Sequence, residues 1–223
     1  MKILLVIRKD CKYSQKAYQF IKKFNYQVDV VYSSHRNQAM PSKLRTWKGD
    51  YLFSLFNYYI FPKSMIKNID FPINFHPSTP DHPGSGMVNW SLYYYDKHFG
   101  STAHLINEKI DNGKILRVKR FEIKENDSIE SLITKNKKNC LNLFFEIVDQ
   151  LLNKKVSIEE MIKNSSNEKW LGKARKIKEI DDISKINLDI TSVELERRIK
   201  AFHTSQNPLS LYLHGNKFIL DKS

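Results

Sequence analysis

The chain opens on an unbroken apolar run, Ile3-Leu4-Leu5-Val6-Ile7. A strand with no polar alternation must be covered on both faces, as strands of a parallel sheet are. Residues 14–24 follow, with Ala17, Phe20, Ile21 and Phe24 on one helical face and Ser14 as a candidate N-cap. Residues 27–33 alternate and end in polar side chains, which predicts a second strand. Strand, helix and strand in this order form a βαβ opening, and that commits the chain to an α/β fold with a mostly parallel, Rossmann-like sheet.

The rest of the chain extends this pattern. Residues 50–56 predict a further buried strand, and Pro62 suits the start of a short helix. Residues 71–75 predict a strand that runs into an irregular loop rich in Pro and Gly, residues 76–86. Residues 87–98 read as helical, and 101–106 and 114–123 as strands around a turn at Asp111-Asn112-Gly113. Asp127 and Glu130 suggest a capping box for a long helix over 128–153, with Ile129, Leu132, Ile133, Leu143, Phe144, Ile147, Val148 and Leu151 on its apolar face. Beyond residue 155 the texture changes. The polar tract 163–190 predicts loops and short helices. Thr191 and Glu194 offer a second capping box, with Ile190 and Leu195 as a staple, for a helix over 192–202. Residues 208–213 and 217–220 read as a hairpin. We therefore expect a catalytic domain over 1–155 and a small C-terminal region over 156–223, whose hairpin could pair with a second copy or cover its own domain.

With 223 residues, one domain of roughly 150 residues plus an appendage is expected. No apolar run approaches ~18 residues, so no membrane span is expected, and the first residues are charged too soon for a signal peptide. Only two cysteines occur, Cys11 and Cys140, which implies neither a disulfide framework nor a zinc cluster and points to a reducing cytoplasm. The net charge is +13, but the lysines are scattered, so a nucleic-acid surface is not expected while a local patch for a diphosphate is.

The chemistry concentrates in residues 73–113. Asn74 and His76 stand two apart at a strand end, so they share a face at the carboxyl edge of the sheet, where α/β folds place ligands. Pro77 ends the strand, and Asp111 sits at a turn from which it could converge on His76. An amide, an imidazole and a carboxylate suit acyl transfer: the amide stabilises an oxyanion, the imidazole moves a proton, and the carboxylate orients the imidazole.

The elements Asn74-Phe75-His76-Pro77-Ser78, Pro83-Gly84-Ser85-Gly86, Gly100-Ser101-Thr102-Ala103-His104 and Asp111-Asn112-Gly113 resemble, in order and spacing, the signature of the 10-formyltetrahydrofolate-dependent formyltransferases. The segment Asn89-Trp90-Ser91-Leu92-Tyr93 is most similar to the sugar N-formyltransferases of that family. The resemblance implies transfer of a formyl group from 10-formyltetrahydrofolate to the amine of a dTDP- or UDP-linked amino sugar, as in surface polysaccharide synthesis. It assigns Asn74, His76 and Asp111 as catalytic, and Phe56, Asn57, Tyr58, Tyr59, Ile60, Asn107 and Ile110 to the folate. The hairpin at 208–220 also resembles the family's C-terminal part, and its exposed edge, not the resemblance, is the ground for expecting a homodimer. The resemblance implies a further C-terminal barrel domain in the methionyl-tRNA enzyme, for which these 223 residues leave too little chain. It implies a glycine-rich phosphate loop after the first strand in the glycinamide ribonucleotide enzyme, where this sequence has Arg8-Lys9-Asp10-Cys11-Lys12. Neither of those two enzymes is therefore expected. Tract 163–190 is unmatched.

Further candidates for the substrate are Arg8, Lys9, Trp47, Ser78, His82, Trp90 and His104. Trp90 and Tyr93 could stack on a base or pack in the core. Trp47 could line the sugar site or pack inside. Arg8, Lys9 and Lys12 could meet a pyrophosphate or stay solvated. His104 could bond within the site or be a satisfied buried histidine. Two other functions stay open: formylation of another small amine, and a basic nucleic-acid-binding module without catalysis.

Overall fold

The computed structural model describes residues 1–221. Its central sheet has six strands: β1 (Lys2–Arg8), β2 (Gln27–Ser33), β3 (Gly49–Leu55), β4 (Ile69–His76), β5 (His98–Leu105) and β6 (Ile115–Glu122). They lie in the order β2-β1-β3-β4-β5-β6. The first four are parallel, β5 runs antiparallel to β4, and β6 runs antiparallel to β5. The apolar run of β1 occupies an inner position with Ile3 to Ile7 fully buried.

Helix α1 (Lys12–Ile21) joins β1 to β2. It starts two residues before the expected cap: Cys11 occupies the N-cap position, and Ser14 is buried within the first turn. A single 3₁₀ turn (Ser42–Leu44) precedes β3, and α2 (Lys63–Ile66) precedes β4, with Pro62 at its N-cap. Helix α3 (Met87–Tyr93) is shorter than expected, because Tyr95 adopts a left-handed conformation (φ 55°) that ends the helix. The chain then enters β5 at His98.

Helix α4 (Ile129–Leu152) buries the predicted apolar face against the sheet, except Ile133, which is 38% exposed. Its capping box is Ser128 with Ser131, one residue past the expected pair. Asp127 is instead committed to the Lys124 N–H, the Ser131 hydroxyl and the Lys135 ammonium. Phe53, Phe75 and Phe144 pack ring to ring between sheet and helix, with centroids 5.0–6.4 Å apart.

The tract after α4 contains α5 (Ile158–Asn164) and α6 (Ile177–Ile183), with the irregular strap 165–175 between them. Helix α7 (Ser192–Phe202) is capped by Thr191, but the Glu194 carboxylate reaches Tyr93 and Arg198 rather than closing a box. The C-terminal hairpin, β8 (Ser210–Leu213) and β9 (Asn216–Ile219), gains a third, parallel strand, β7 (Lys185–Ile186). No helix among the described residues is long and apolar enough to cross a membrane.

Candidate active site

Strand register builds the centre of the site. Ser54 pairs with Asn74 across β3 and β4, and Asn74 pairs with His104 across β4 and β5. Residues opposite one another on neighbouring strands project to the same face, so three side chains form one polar row. The Ser54 hydroxyl donates to Asn74 Oδ1 (2.7 Å), and Asn57 Nδ2 donates in turn to the Ser54 oxygen. With its oxygen occupied, the Asn74 amide presents Nδ2, 3.2 Å from His104 Nε2. The His104 ring is oriented by its Nδ1, which donates to the Leu105 carbonyl (2.8 Å).

His76, two residues along β4, is buried. Its Nδ1 lies 3.3 Å from Asp111 Oδ2, and its Nε2 lies 3.3 Å from the His82 carbonyl. A neutral imidazole has one N–H for these two acceptors, so a ring that gains a proton completes both contacts. Asp111 Oδ1 is 3.5 Å from His104 Nε2, and Oδ2 accepts from the Gly84 N–H (2.9 Å). The carboxylate therefore joins both imidazoles to the Pro-Gly loop.

Burial lowers the His76 pKa below 6.5, and the Asp111 carboxylate offsets this only in part, so the ring is neutral at pH 7. Burial by itself would raise Asp111. The two imidazoles and the Gly84 N–H outweigh it and hold the carboxyl at about 2.

Asp111 (φ 43°) and Phe56 (φ 55°) both adopt the left-handed region. That conformation is costly for a bulky side chain and recurs at functional sites. Gly113 has no alternative. A Cβ there would sit 1.6 Å from the Leu105 carbonyl oxygen, so the turn that carries Asp111 closes only with glycine.

These groups line one cleft of about 560 Å³. Phe56, Asn57, Tyr58, Tyr59, Ile60, Asn107 and Ile110 also line it. Arg8 lines it too, with its guanidinium 4.7 Å over the Tyr58 ring. Others fall elsewhere. Lys9 is exposed and outside the lining. Trp47 is a core residue whose indole N–H donates to Asp29 (2.7 Å). Trp90 and Tyr93 pack against Phe202 in a third hydrophobic cluster, and the Trp90 indole N–H donates to the Ser85 carbonyl. These indoles are therefore structural rather than cleft groups. Ser78 is buried beside the cleft and gives its carbonyl to Thr102. His82 supports His76 through its carbonyl while its ring bonds Asp96 (2.5 Å).

Residues outside the expected set complete the site. Arg36, Lys137 and Arg175 add positive charge to the lining. The Arg175 guanidinium lies 4.2 Å over the Trp90 ring. Asn136 of α4 ties the Pro77 carbonyl to the Ser101 hydroxyl. Strap 165–175 runs along the Pro-Gly loop: the Leu171 N–H donates to the Pro80 carbonyl, the Arg175 N–H to the Pro83 carbonyl, and the Ser85 N–H to the Arg175 carbonyl. Gly84 is required there, since a Cβ would meet the Arg175 nitrogen at 2.3 Å and its φ is +89°. Such main-chain pairing leaves little mark on side-chain identity. Trp170, the lone aromatic of the polar tract 163–190, was the one available signal.

The whole chain superposes on a sugar N-formyltransferase from Shewanella sp FDAARGOS_354 with a TM-score of 0.76 and 21% identity, covering 100% of this chain and 98% of that one. A 4-N formyltransferase from Francisella tularensis gives 0.73 at 20% identity, covering 98% and 96%. An N-formyltransferase from Helicobacter canadensis in complex with folinic acid and dTDP-3-aminofucose gives 0.71 at 18%, covering 96% and 85%. Likeness at such identities speaks for the fold. In sequence, 150 residues are 29% identical to the bifunctional polymyxin resistance protein ArnA of Wigglesworthia glossinidia brevipalpis, and 132 residues are 30% identical to the methionyl-tRNA formyltransferase of Ehrlichia ruminantium (strain Welgevonden). These matches cover 66% and 59% of this chain but only 21% and 40% of those proteins, so the chain spans less than half the length of these curated relatives. The family model described as formyl transferase matches residues 1–177, most of the chain, and the protein belongs to that family.

Proposed function

We propose that this protein is an N-formyltransferase that moves a formyl group from 10-formyltetrahydrofolate to the amine of a nucleotide-linked amino sugar. The observation that carries the reading is the meeting of Asn74 Nδ2, His76 and Asp111 in one cleft. The cleft suits a folate: Phe56, Tyr58, Ile60 and Ile110 give it apolar walls, and Ile60 and Ile110 are left 73% and 52% exposed. A flat heterocycle with a polar edge would cover such side chains while bonding to backbone groups. When bound, the folate supplies the formyl group.

The chain's own residues would do the rest. The Asn74 amide N–H stabilises negative charge on a carbonyl oxygen. His76, neutral at pH 7, accepts the proton that the attacking amine must lose and can return it to the folate nitrogen, whose bond to the formyl carbon breaks so that tetrahydrofolate leaves. Asp111, ionised, then faces an imidazolium at 3.3 Å. Arg8, Arg36, Lys137 and Arg175 offer charge for a diphosphate. The Helicobacter canadensis relative was crystallised with a dTDP-linked amino sugar, which supports this substrate class over other small amines.

The test is incubation of purified protein with 10-formyltetrahydrofolate and a panel of dTDP- and UDP-linked amino sugars, with glycinamide ribonucleotide as the competing acceptor. The expected result is a mass gain of one formyl group on a nucleotide sugar. Formylation of glycinamide ribonucleotide alone, or of nothing, would overturn the proposal. We also assign residues 1–155, completed by strap 165–175, to catalysis and the C-terminal hairpin to pairing with a second copy in a cytoplasmic homodimer. Tyr212, Phe218 and Ile219 are at least half exposed on that hairpin, and this supports the assignment.

A further inference from the structure

Trp170 does not line the cleft, yet its indole stands edge-on to both imidazoles. The ring centroids are 4.9 Å apart for His104 and 5.8 Å for His76, with interplanar angles of 84° and 62°. Its Nε1–H donates to the Gly113 carbonyl (2.7 Å), in the turn that carries Asp111. One side chain thus touches three parts of the site from behind.

The polar contacts among those parts are long. His76 stands 3.3 Å from each of its two acceptors, and His104 Nε2 stands 3.5 Å from Asp111. Bonds of this length hold ring orientation weakly, since the ordinary N–H···O separation is about 2.9–3.0 Å. Edge-to-face packing on an indole adds about 0.5–1.5 kcal/mol per aromatic pair and restricts rotation. Both imidazoles that the indole packs against are buried.

Trp170 cannot easily swing away. Glu168 is held by a two-pronged pair to Arg120 (2.5 and 2.8 Å), and the Leu171 N–H is bonded to the Pro80 carbonyl (3.0 Å). The residue is fixed on both sides.

We propose that Trp170 is a positioning residue for formyl transfer, fixing the orientation of His76, backing the His104 ring that Leu105 already orients, and anchoring the Asp111 turn. The proposal rests on the reading of the cleft given above. Two variants separate its parts. Trp170→Phe keeps a ring against the imidazoles and loses the N–H to Gly113. Trp170→Leu loses both.

The measurements are kcat and KM for both substrates, the pH profile of kcat, and the imidazole titration of His76 by NMR, assigned with a His76→Asn variant. For Trp170→Leu we expect a 10- to 100-fold lower kcat, KM within threefold of the parent, and an upward shift of the His76 titration as water gains access. For Trp170→Phe we expect a three- to tenfold lower kcat with the His76 titration retained. Parental kcat and parental titration in both variants would overturn the proposal, as would a loss confined to KM, which would make Trp170 a substrate contact. Should Trp170→Leu lose its circular dichroism signature, Trp170→Phe decides: a kcat within twofold of the parent at unchanged Tm overturns it. A parent protein that formylates nothing sinks the functional reading, and the titrations then judge on their own whether Trp170 holds the imidazoles.

Discussion

At the scale of single residues, each member of the row Ser54, Asn74, His104 has a partner that fixes which atom it offers to the cleft. Replacing His76 with Asn should lower kcat by about 100- to 10,000-fold, the range for a lost general acid–base group, with ligand affinity little changed. Equilibrium binding of folate and nucleotide sugar, measured beside turnover, checks both halves. The acid limb of the kcat profile follows from the lowered His76 pKa. The reactive form is the neutral ring, so activity should fall only as pH drops below 6.5, and a limb centred above 6.5 would contradict the assignment. Losing the Asn74 donor through Asn74→Ala should cost about 100-fold or more in kcat. The positions of Asn74, His76 and Asp111 were legible because a period-two strand and a turn with a compulsory glycine impose them. Trp47 and Trp90 were ambiguous because an indole packs equally well in a core and in a cleft, and only burial separates the two.

At the scale of elements, the site is a product of register. Slipping β4 by one residue would turn Asn74 and His76 to the opposite face. Ser54→Ala should preserve that register while freeing the Asn74 amide to flip, and a roughly 10-fold loss of kcat at unchanged Tm is expected. Gly113→Ala should be more damaging, because the Leu105 carbonyl occupies the space its methyl needs. Differential scanning calorimetry should show a lowered Tm together with loss of turnover. Phe144→Ala, in the ring cluster beneath β3 and β4, should destabilise the fold by about 3–5 kcal/mol, measurable by urea titration. Strand and helix positions were readable from apolar periodicity. Helix starts slipped where side chains had competing partners, as at Asp127, whose carboxylate takes the Lys124 N–H and the Ser131 and Lys135 side chains instead of capping the α4 backbone.

At the scale of the whole molecule, the proposed pairing of hairpins has a direct test. Light scattering should give a dimer for the parent and a monomer for a Tyr212→Glu, Phe218→Glu double variant, and a monomeric parent would remove the idea. The strap was not legible, because its bonds to the Pro-Gly loop run through carbonyls and amides that any residue possesses. A polypeptide ending after Leu152 would still contain the amide, the imidazole and the carboxylate. It would lack the segment whose amide hydrogens occupy the Pro80 and Pro83 carbonyls and whose indole backs both histidines. Such a fragment would hold every reagent and no fixed arrangement of them, and adding the missing peptide in trans should restore turnover in proportion to the strap it supplies.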